Sequence, residues 1–232
     1  MSKIHPIELY DFLKSKNIKH LYFACPVKTA CTFINHGKLM SKYKLSLNKA
    51  EFSKNGDIQN DKIAGLWNKI IFNFCDLHGY LIRQNKFGPV CFVFDVDFLT
   101  EVHQNDLMIT RKNPLYWKKG LKKSYFYFSS ITDFSNRFSS LTKNGKIHKN
   151  MVLIRDKKTK IPLDKYLVEI ILDKPGDRYL LFTKAKKALL NAIESANLKN
   201  VSFKIRKCEN FCYCQSNYNE MTEHIVKELF NP

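Results

Sequence analysis

Glu169 is the residue whose type and surroundings most suggest chemistry. It is the one charged residue in the apolar run from Tyr166 to Leu172, which predicts a β-strand. A carboxylate among apolar neighbours is costly unless it is hydrogen-bonded or used. In an active site it could stabilise an oxocarbenium-like centre or orient a ribose hydroxyl. An edge-strand glutamate facing water is the alternative, and Asp95 and Asp97 in the predicted strand 89–99 raise the same question more weakly.

A second polar group stands between a predicted helix and a buried strand, and its members are Asp76, His78 and Arg83. Polar side chains beside an apolar wall often line a pocket. Arg83 is the first arginine of the chain, and a guanidinium binds a phosphate or carboxylate in a bidentate manner that lysine cannot match. A solvated connector with a capping aspartate is the alternative.

The cysteines indicate location more than chemistry. There are seven, an odd number, and several stand in apolar runs, which favours free thiols in a reducing compartment. Cys208, Cys212 and Cys214, with His224, are close enough to share a metal, but they lack the paired CxxC spacing, so no metal is predicted. No signal peptide and no apolar run of about 20 residues is present, so we expect a cytoplasmic protein without a membrane segment.

The charge of the chain indicates a polyanionic partner. Lys and Arg number 39 against 21 Asp and Glu, a formal net charge of +18. Such an excess of positive charge destabilises the folded chain by self-repulsion unless an anionic partner balances it. Nucleic acid, DNA or RNA, is the commonest such partner. A coding bias toward Lys and Asn is the alternative. The predicted nucleic-acid contacts are Lys118, Lys119, Lys122 and Lys123.

The order of predicted elements favours an α+β fold in a single domain over residues 1–232. Helices are predicted at 7–16, 27–36, 63–74, 182–197 and 217–230, and strands at 20–25, 89–99, 124–129, 166–172 and 201–206. Gly37 is expected to close the second helix, and residues 42–61 to form a polar loop. The glycine-rich fingerprints of Rossmann and P-loop sites are absent from the sequence.

Two segments resemble the opening of the DarT-like ADP-ribosyltransferases. Residues 21–25 (LYFAC) resemble a strand written L-Y-H-x-T, and residues 34–41 (INHGKLMS) resemble the H-G-x-L-S element that follows one helix later. The resemblance implies a split, mainly antiparallel β-sheet core flanked by helices, which clamps NAD in the cleft between its halves. It also implies transfer of ADP-ribose to a nucleic-acid base, often by a toxin or phage-defence effector held by an antitoxin.

The resemblance also assigns site residues. The late A-E-F-L-V element of the family is similar to residues 164–168 (DKYLV), where Lys165 stands at the catalytic glutamate. Glu169, four residues later and expected on the same strand face, is the predicted replacement, and Arg83 the predicted catalytic, NAD-contacting arginine. Phe23 and Cys25 replace the histidine and threonine of the strand motif. The predicted NAD contacts are Tyr22, Phe23, Cys25, Thr29, His78 and Tyr80.

Two other functions compete with this one. The replaced motif residues favour a basic nucleic-acid-binding protein without catalytic activity. A metal-dependent nuclease using Asp76, His78, Asp95 or Glu169 is the third hypothesis.

Overall fold

The computed structural model describes residues 4–53, 61–62, 64–77, 87–117, 121–143, 146–207 and 213–232. Its α-helices are α1 (Pro6–Ser15), α2 (Val27–Asn35), α3 (Lys42–Leu47), α4 (Ile131–Lys143), α5 (Leu163–Tyr166), α6 (Tyr179–Ser195), α7 (Tyr213–Glu220) and α8 (Glu223–Phe230). Its strands are β1 (His20–Cys25), β2 (Lys38–Leu39), β3 (Lys69–Asn73), β4 (Val90–Asp95), β5 (Leu107–Ile109), β6 (Met151–Arg155), β7 (Ile161–Pro162), β8 (Leu167–Leu172) and β9 (Ser202–Ile205).

Among the described residues, seven strands form one sheet in the order β5-β6-β3-β1-β4-β8-β9. All neighbouring pairs are antiparallel except β8 and β9. β1 pairs with β4 along six residues, but with β3 only through Tyr22 and Asn73. The sheet is therefore nearly divided between β1 and β3. The sheet order and pairing confirm the predicted α+β fold, with a split, mainly antiparallel sheet flanked by helices.

One face of the sheet forms the hydrophobic core. Every second residue of β1 and β4 points there, and Phe92 and Phe94 are fully buried. Phe23 joins them and packs edge-on against Phe33 of α2, with ring centroids 5.7 Å apart. Helices α1, α2, α6 and α8 cover this face because each contributes buried apolar residues to the same cluster.

A β-bulge changes the direction of side chains in β8. Val93 pairs with Glu169, but the next residue of β4, Phe94, pairs with Leu167, so Val168 is an extra residue. Leu167 belongs to the core beside Phe94. Regular alternation would turn Glu169 to the core as well, whereas the bulge turns it to the opposite face. The prediction that Lys165, Leu167 and Glu169 share a strand face is wrong, because Lys165 lies in α5 and Leu167 in the core.

The second resembling segment, residues 34–41, lies beside the chain that leads into the late element at 164–168. Gly37 adopts a left-handed φ of 63°, which confirms the predicted helix end. β2, which follows it, pairs with β7, and the Gly37 carbonyl accepts a hydrogen bond from the Leu163 amide. The His36–Ser41 segment therefore contacts the chain that leads into Lys165.

Several predicted elements differ from the structure. The helix predicted at 63–74 is wrong, since β3 occupies 69–73 and pairs with β6. The loop predicted at 42–61 begins with α3, and the final helix is divided into α7 and α8. The strand predicted at 124–129 contains a short 3₁₀ turn and one bridge, between Thr110 and Tyr127. No helix in the described ranges is long and apolar enough to cross a membrane. The single domain stays a prediction.

Candidate functional site

A row of side chains crosses the face of the sheet opposite the core. Strand pairing places Asn73, Tyr22, Val93, Glu169 and Ser202 directly beside one another on five neighbouring strands. Facing residues of paired strands point to the same side of a sheet. The row therefore joins the two nearly separate halves of the sheet and places one carboxylate on the same surface as a phenol and an amide.

Glu169 is the partly buried carboxylate of this row. Its side chain is 17% exposed, and its Oε1 contacts the Nζ of Lys204, which is 64% exposed. Lys204 lies on β9, opposite Ile171 of β8. An ion pair with so exposed a lysine contributes little to stability, so Glu169 can exchange this partner for a ligand.

Tyr22 contributes a neutral phenol to the row. Burial raises its pKa, and the nearby Asp76 carboxylate raises it further, with a smaller contribution from Glu169. The hydroxyl therefore keeps its proton at neutral pH and can donate a hydrogen bond. Tyr22 and Glu169 are both paired with Val93, so their side chains lie on the same face of the sheet, one strand apart.

Asn73 carries a buried oxygen without a partner. Its side chain is 6% exposed, and within the described part of the chain its Oδ1 accepts no hydrogen bond. A buried amide oxygen without a donor costs roughly 1–3 kcal/mol. The oxygen lies in the cleft beside Tyr22, where a ligand hydroxyl or amide could supply the missing donor.

The cleft next to this row is closed on one side by an ion-pair network. Arg206 donates from Nη1 and Nη2 to Asp76, at 2.6 and 3.2 Å, and from Nε to Asp173 at 2.5 Å. Tyr218 of α7 donates to the other oxygen of Asp173 at 2.9 Å. Burial lowers the pKa of Arg206, but the charges of Asp173 and Asp76 outweigh burial and raise it. The network therefore fixes the ends of β3, β8 and β9 relative to one another.

The cleft also requires a glycine and contains a thiol. Gly88 has a φ of 125°, and a Cβ there would lie 2.1 Å from the Cys25 carbonyl carbon, so no other residue fits.

Cys91 lines the cleft, and burial raises the pKa of its thiol well above the ordinary value. It is therefore protonated and a poor nucleophile.

The structure divides the predicted NAD contacts between two faces. Tyr22 lies with Glu169 on the cleft face. Phe23 and Cys25 point into the core instead, because β1 alternates. Thr29 lies in α2, nearly buried, and accepts a hydrogen bond from the Ser53 amide at 3.1 Å. The structure does not bring these three residues together with Glu169.

Other predicted residues lie outside the described part of the chain. These are His78, Tyr80, Arg83, Lys118, Lys119, Cys208 and Cys212. Lys122 is exposed, and Lys123 begins a 3₁₀ turn. Cys214 is buried in α7, while His224 is exposed in α8. In the ranges that the structure describes, no three His, Cys, Asp or Glu side chains gather as metal ligands.

Lys165 stands where the resemblance expects a catalytic glutamate. It pairs with Glu101, which ends the 3₁₀ helix Val96–Glu101 after β4. Both side chains are largely exposed. The position therefore holds a cation next to an anion, and the carboxylate of Glu169 lies beyond it on the strand.

Sequence reasoning missed Asn73, Arg206 and Asp173. Asn73 interrupts an apolar run for which the spacing predicted a helix, so its strand face could not be assigned. Arg206 and Asp76 are 130 residues apart, and no local pattern connects them. Asp173, a charged residue at the end of the apolar strand 167–172, was the one available signal.

Comparisons with known proteins identify the fold. No protein-family profile matches the sequence, and no curated protein matches it either. The structure of the chain is similar to solved structures of DarT from Thermus sp. 2.9. The structure in complex with ADP-ribosylated ssDNA has a TM-score of 0.53 and 10% identity, and covers 89% of this chain and 98% of that one. The complex with NAD+ has a TM-score of 0.51 and 13% identity, and covers 82% and 96%. The chain thus has the DarT fold that its sequence resemblance implied.

Proposed function

We propose that this protein is an NAD-dependent ADP-ribosyltransferase that modifies nucleic acid. The Thermus structures that share its fold contain NAD+ in one case and ADP-ribosylated ssDNA in another. The observation that carries the proposal is the bulge at Val168, which turns Glu169 to the face shared with Tyr22 and the unpartnered Asn73 oxygen. β-Bulges often re-aim side chains next to active sites.

The side chains of the row have distinct roles in this proposal. Bound NAD supplies an ADP-ribosyl group, whose C1–nitrogen bond to nicotinamide breaks as a bond to an acceptor atom of the nucleic acid forms. Glu169 places a negative charge beside the positive charge that develops at C1. Asn73 accepts a hydrogen bond from a ribose hydroxyl or the carboxamide, and Tyr22 donates one. Arg83 stays a proposed NAD contact.

Label transfer tests the proposal directly. The purified full chain is incubated with NAD labelled in its ADP-ribosyl part and with single-stranded DNA, duplex DNA or RNA. We expect wild-type protein to label a nucleic acid, and Glu169→Gln to reduce the rate by roughly 100-fold or more, since the charge at the reacting centre is lost. Glu194→Gln, an exposed glutamate of α6, is the matched control and should keep wild-type activity. Equal labelling by Glu169→Gln would overturn the assignment.

One observation favours a second function, a basic nucleic-acid-binding protein without catalysis. The family position of the catalytic glutamate is Lys165, and Phe23, at the position of the motif histidine, packs against Phe33 in the core. This alternative predicts oligonucleotide binding that falls steeply with salt, together with no label transfer.

We also propose that the protein acts in the cytoplasm as a toxin or phage-defence effector restrained by an antitoxin. The described cysteines, which are Cys25, Cys31, Cys75, Cys91 and Cys214, are free thiols, as a reducing compartment favours. Induced expression of the wild-type chain in a bacterial host should arrest growth, and Glu169→Gln should not. Equal growth of the two cultures would contradict the toxin role.

A further inference from the structure

Two short 3₁₀ turns form a compact module on the cleft side of the sheet. They are Pro114–Tyr116 and Lys123–Tyr125. Trp117, after the first turn, stacks on Phe126, after the second, with ring centroids 4.7 Å apart and planes 29° apart. The stacked pair holds the two turns together.

Arg111 fastens this module to the rest of the protein. Its amide donates to the Phe126 carbonyl at 2.8 Å, and its Nε donates to the Tyr127 carbonyl at 3.0 Å. Its guanidinium lies over the Phe128 ring, 4.6 Å from the centroid, and pairs with Asp133 of α4. These contacts give the module a defined position.

The module presents two exposed aromatic rings. Tyr116 is 64% exposed and Tyr125 is 62% exposed. Each stands immediately before one member of the stacked pair, so both rings extend from the same support. Exposed aromatic rings on an ordered support are typical of surfaces that bind a flat partner.

The chain segment that carries these rings is strongly basic. Between Asp106 and Asp133 the sequence contains six Lys or Arg residues and no carboxylate. Among them, Lys112 and Lys122 are exposed, and each precedes one of the two turns. Exposed aromatic rings beside exposed lysines match a partner that has both planar bases and phosphates.

The module and the cleft lie on the same face of the sheet. Met151 pairs with Asn73, which begins the row that leads to Glu169. Met151 is buried in one cluster with Trp117 and Tyr127. Four strand spacings of about 4.8 Å separate Met151 from Glu169, a span of about 19 Å. A chain bound at the module can therefore continue along the row to the carboxylate.

We propose that Tyr116 and Tyr125 stack on unpaired bases of a single-stranded nucleic acid, and that Lys112 and Lys122 contact its phosphates. A duplex keeps its base faces covered, so stacking selects single strands. This inference rests on the proposed function, because it takes the bound single strand as the acceptor of ADP-ribose. It adds the residues that select a single strand.

Fluorescence anisotropy of a labelled oligonucleotide tests the inference without NAD. We expect Tyr116→Ala/Tyr125→Ala in the full chain to bind a single strand at least about tenfold more weakly than wild type. Tyr116→Phe/Tyr125→Phe should bind within about twofold of wild type, because this variant keeps both rings and removes only the hydroxyls. Tyr179→Ala, an equally exposed tyrosine at the start of α6, is the matched control and should bind as wild type. Lys122→Gln should lower the slope of log K against log salt by about 0.7.

Three results with the variants would overturn the inference. They are unchanged single-strand binding by the double alanine variant, equal loss with phenylalanine, and an equal loss of duplex binding. Wild-type protein that prefers an acidic peptide to the oligonucleotide would also overturn it. Label transfer separates this inference from the proposed function. If wild type transfers no ADP-ribose while the alanine variant loses strand binding, the proposed function fails and the stacking surface remains. If the variant binds and labels DNA normally, the surface fails and the proposed function remains.

Discussion

Replacing Arg206 with methionine tests the ion-pair network beside the cleft. Methionine retains the length and most of the apolar contacts of arginine but removes three hydrogen bonds to two carboxylates. Asp76 is 28% exposed and can regain water, whereas Asp173 is only 4% exposed and, having lost Arg206, still accepts from the Tyr218 hydroxyl. Removing one partner of a buried pair costs roughly 3–5 kcal/mol. Because Asp76 rehydrates, we expect the low end, about 3 kcal/mol.

Urea denaturation followed by circular dichroism measures this loss. For a chain of this size, the unfolding free energy falls by about 2.5 kcal/mol per molar urea, so the midpoint should decrease by roughly 1 M. Arg206→Met/Asp173→Asn should recover more than half of the shift, since asparagine removes the buried charge that has lost Arg206 and still accepts from Tyr218. Arg137→Met, an exposed arginine of α4, is the matched control and should shift the midpoint by less than about 0.2 M. An unchanged midpoint for Arg206→Met, or no recovery in the double variant, would refute this account of the network.

Two further predictions concern Lys204 and the thiols. Lys204→Met should leave the urea midpoint nearly unchanged and reduce label transfer by less than about tenfold, because the lysine of the pair with Glu169 is largely exposed; a loss as large as that of Glu169→Gln would contradict this. Burial raises the pKa of both Cys31 and Cys75 to about 11, with a smaller contribution from Asp76 at Cys75. Since the thiolate reacts, peptide mass spectrometry should show their alkylation rising about tenfold per pH unit from pH 7 to 10; a plateau near pH 9 would mean ordinary thiols.

The sequence predicted the elements whose patterns are local. β1, α2 and the left-handed Gly37 follow from alternation, helical spacing and a glycine at a helix end. β3 was missed because Ile70, Ile71 and Phe74 also satisfy a helical spacing. Pairing with β6 favours the strand over the helix, and β6 lies about 80 residues later in the chain.

The candidate site was less predictable than the fold. Glu169 was identified from its apolar neighbours. The direction of its side chain depends on the bulge at Val168, and no residue type in the sequence predicts that bulge. Phe23 and Cys25 were assigned to the site by motif position, whereas strand alternation places them in the core. Asn73 and Arg206 acquire their roles only through strands that are distant in sequence.

Calorimetric titration of the purified protein with NAD is the most direct test of the central claim, that the cleft beside Glu169 holds this dinucleotide. We predict saturable binding at one site, weakened roughly tenfold by Asn73→Ala because one hydrogen bond is lost, and unchanged by Asn191→Ala on the exposed side of α6. Absence of binding at millimolar NAD, or equal affinity in Asn73→Ala, would contradict the account.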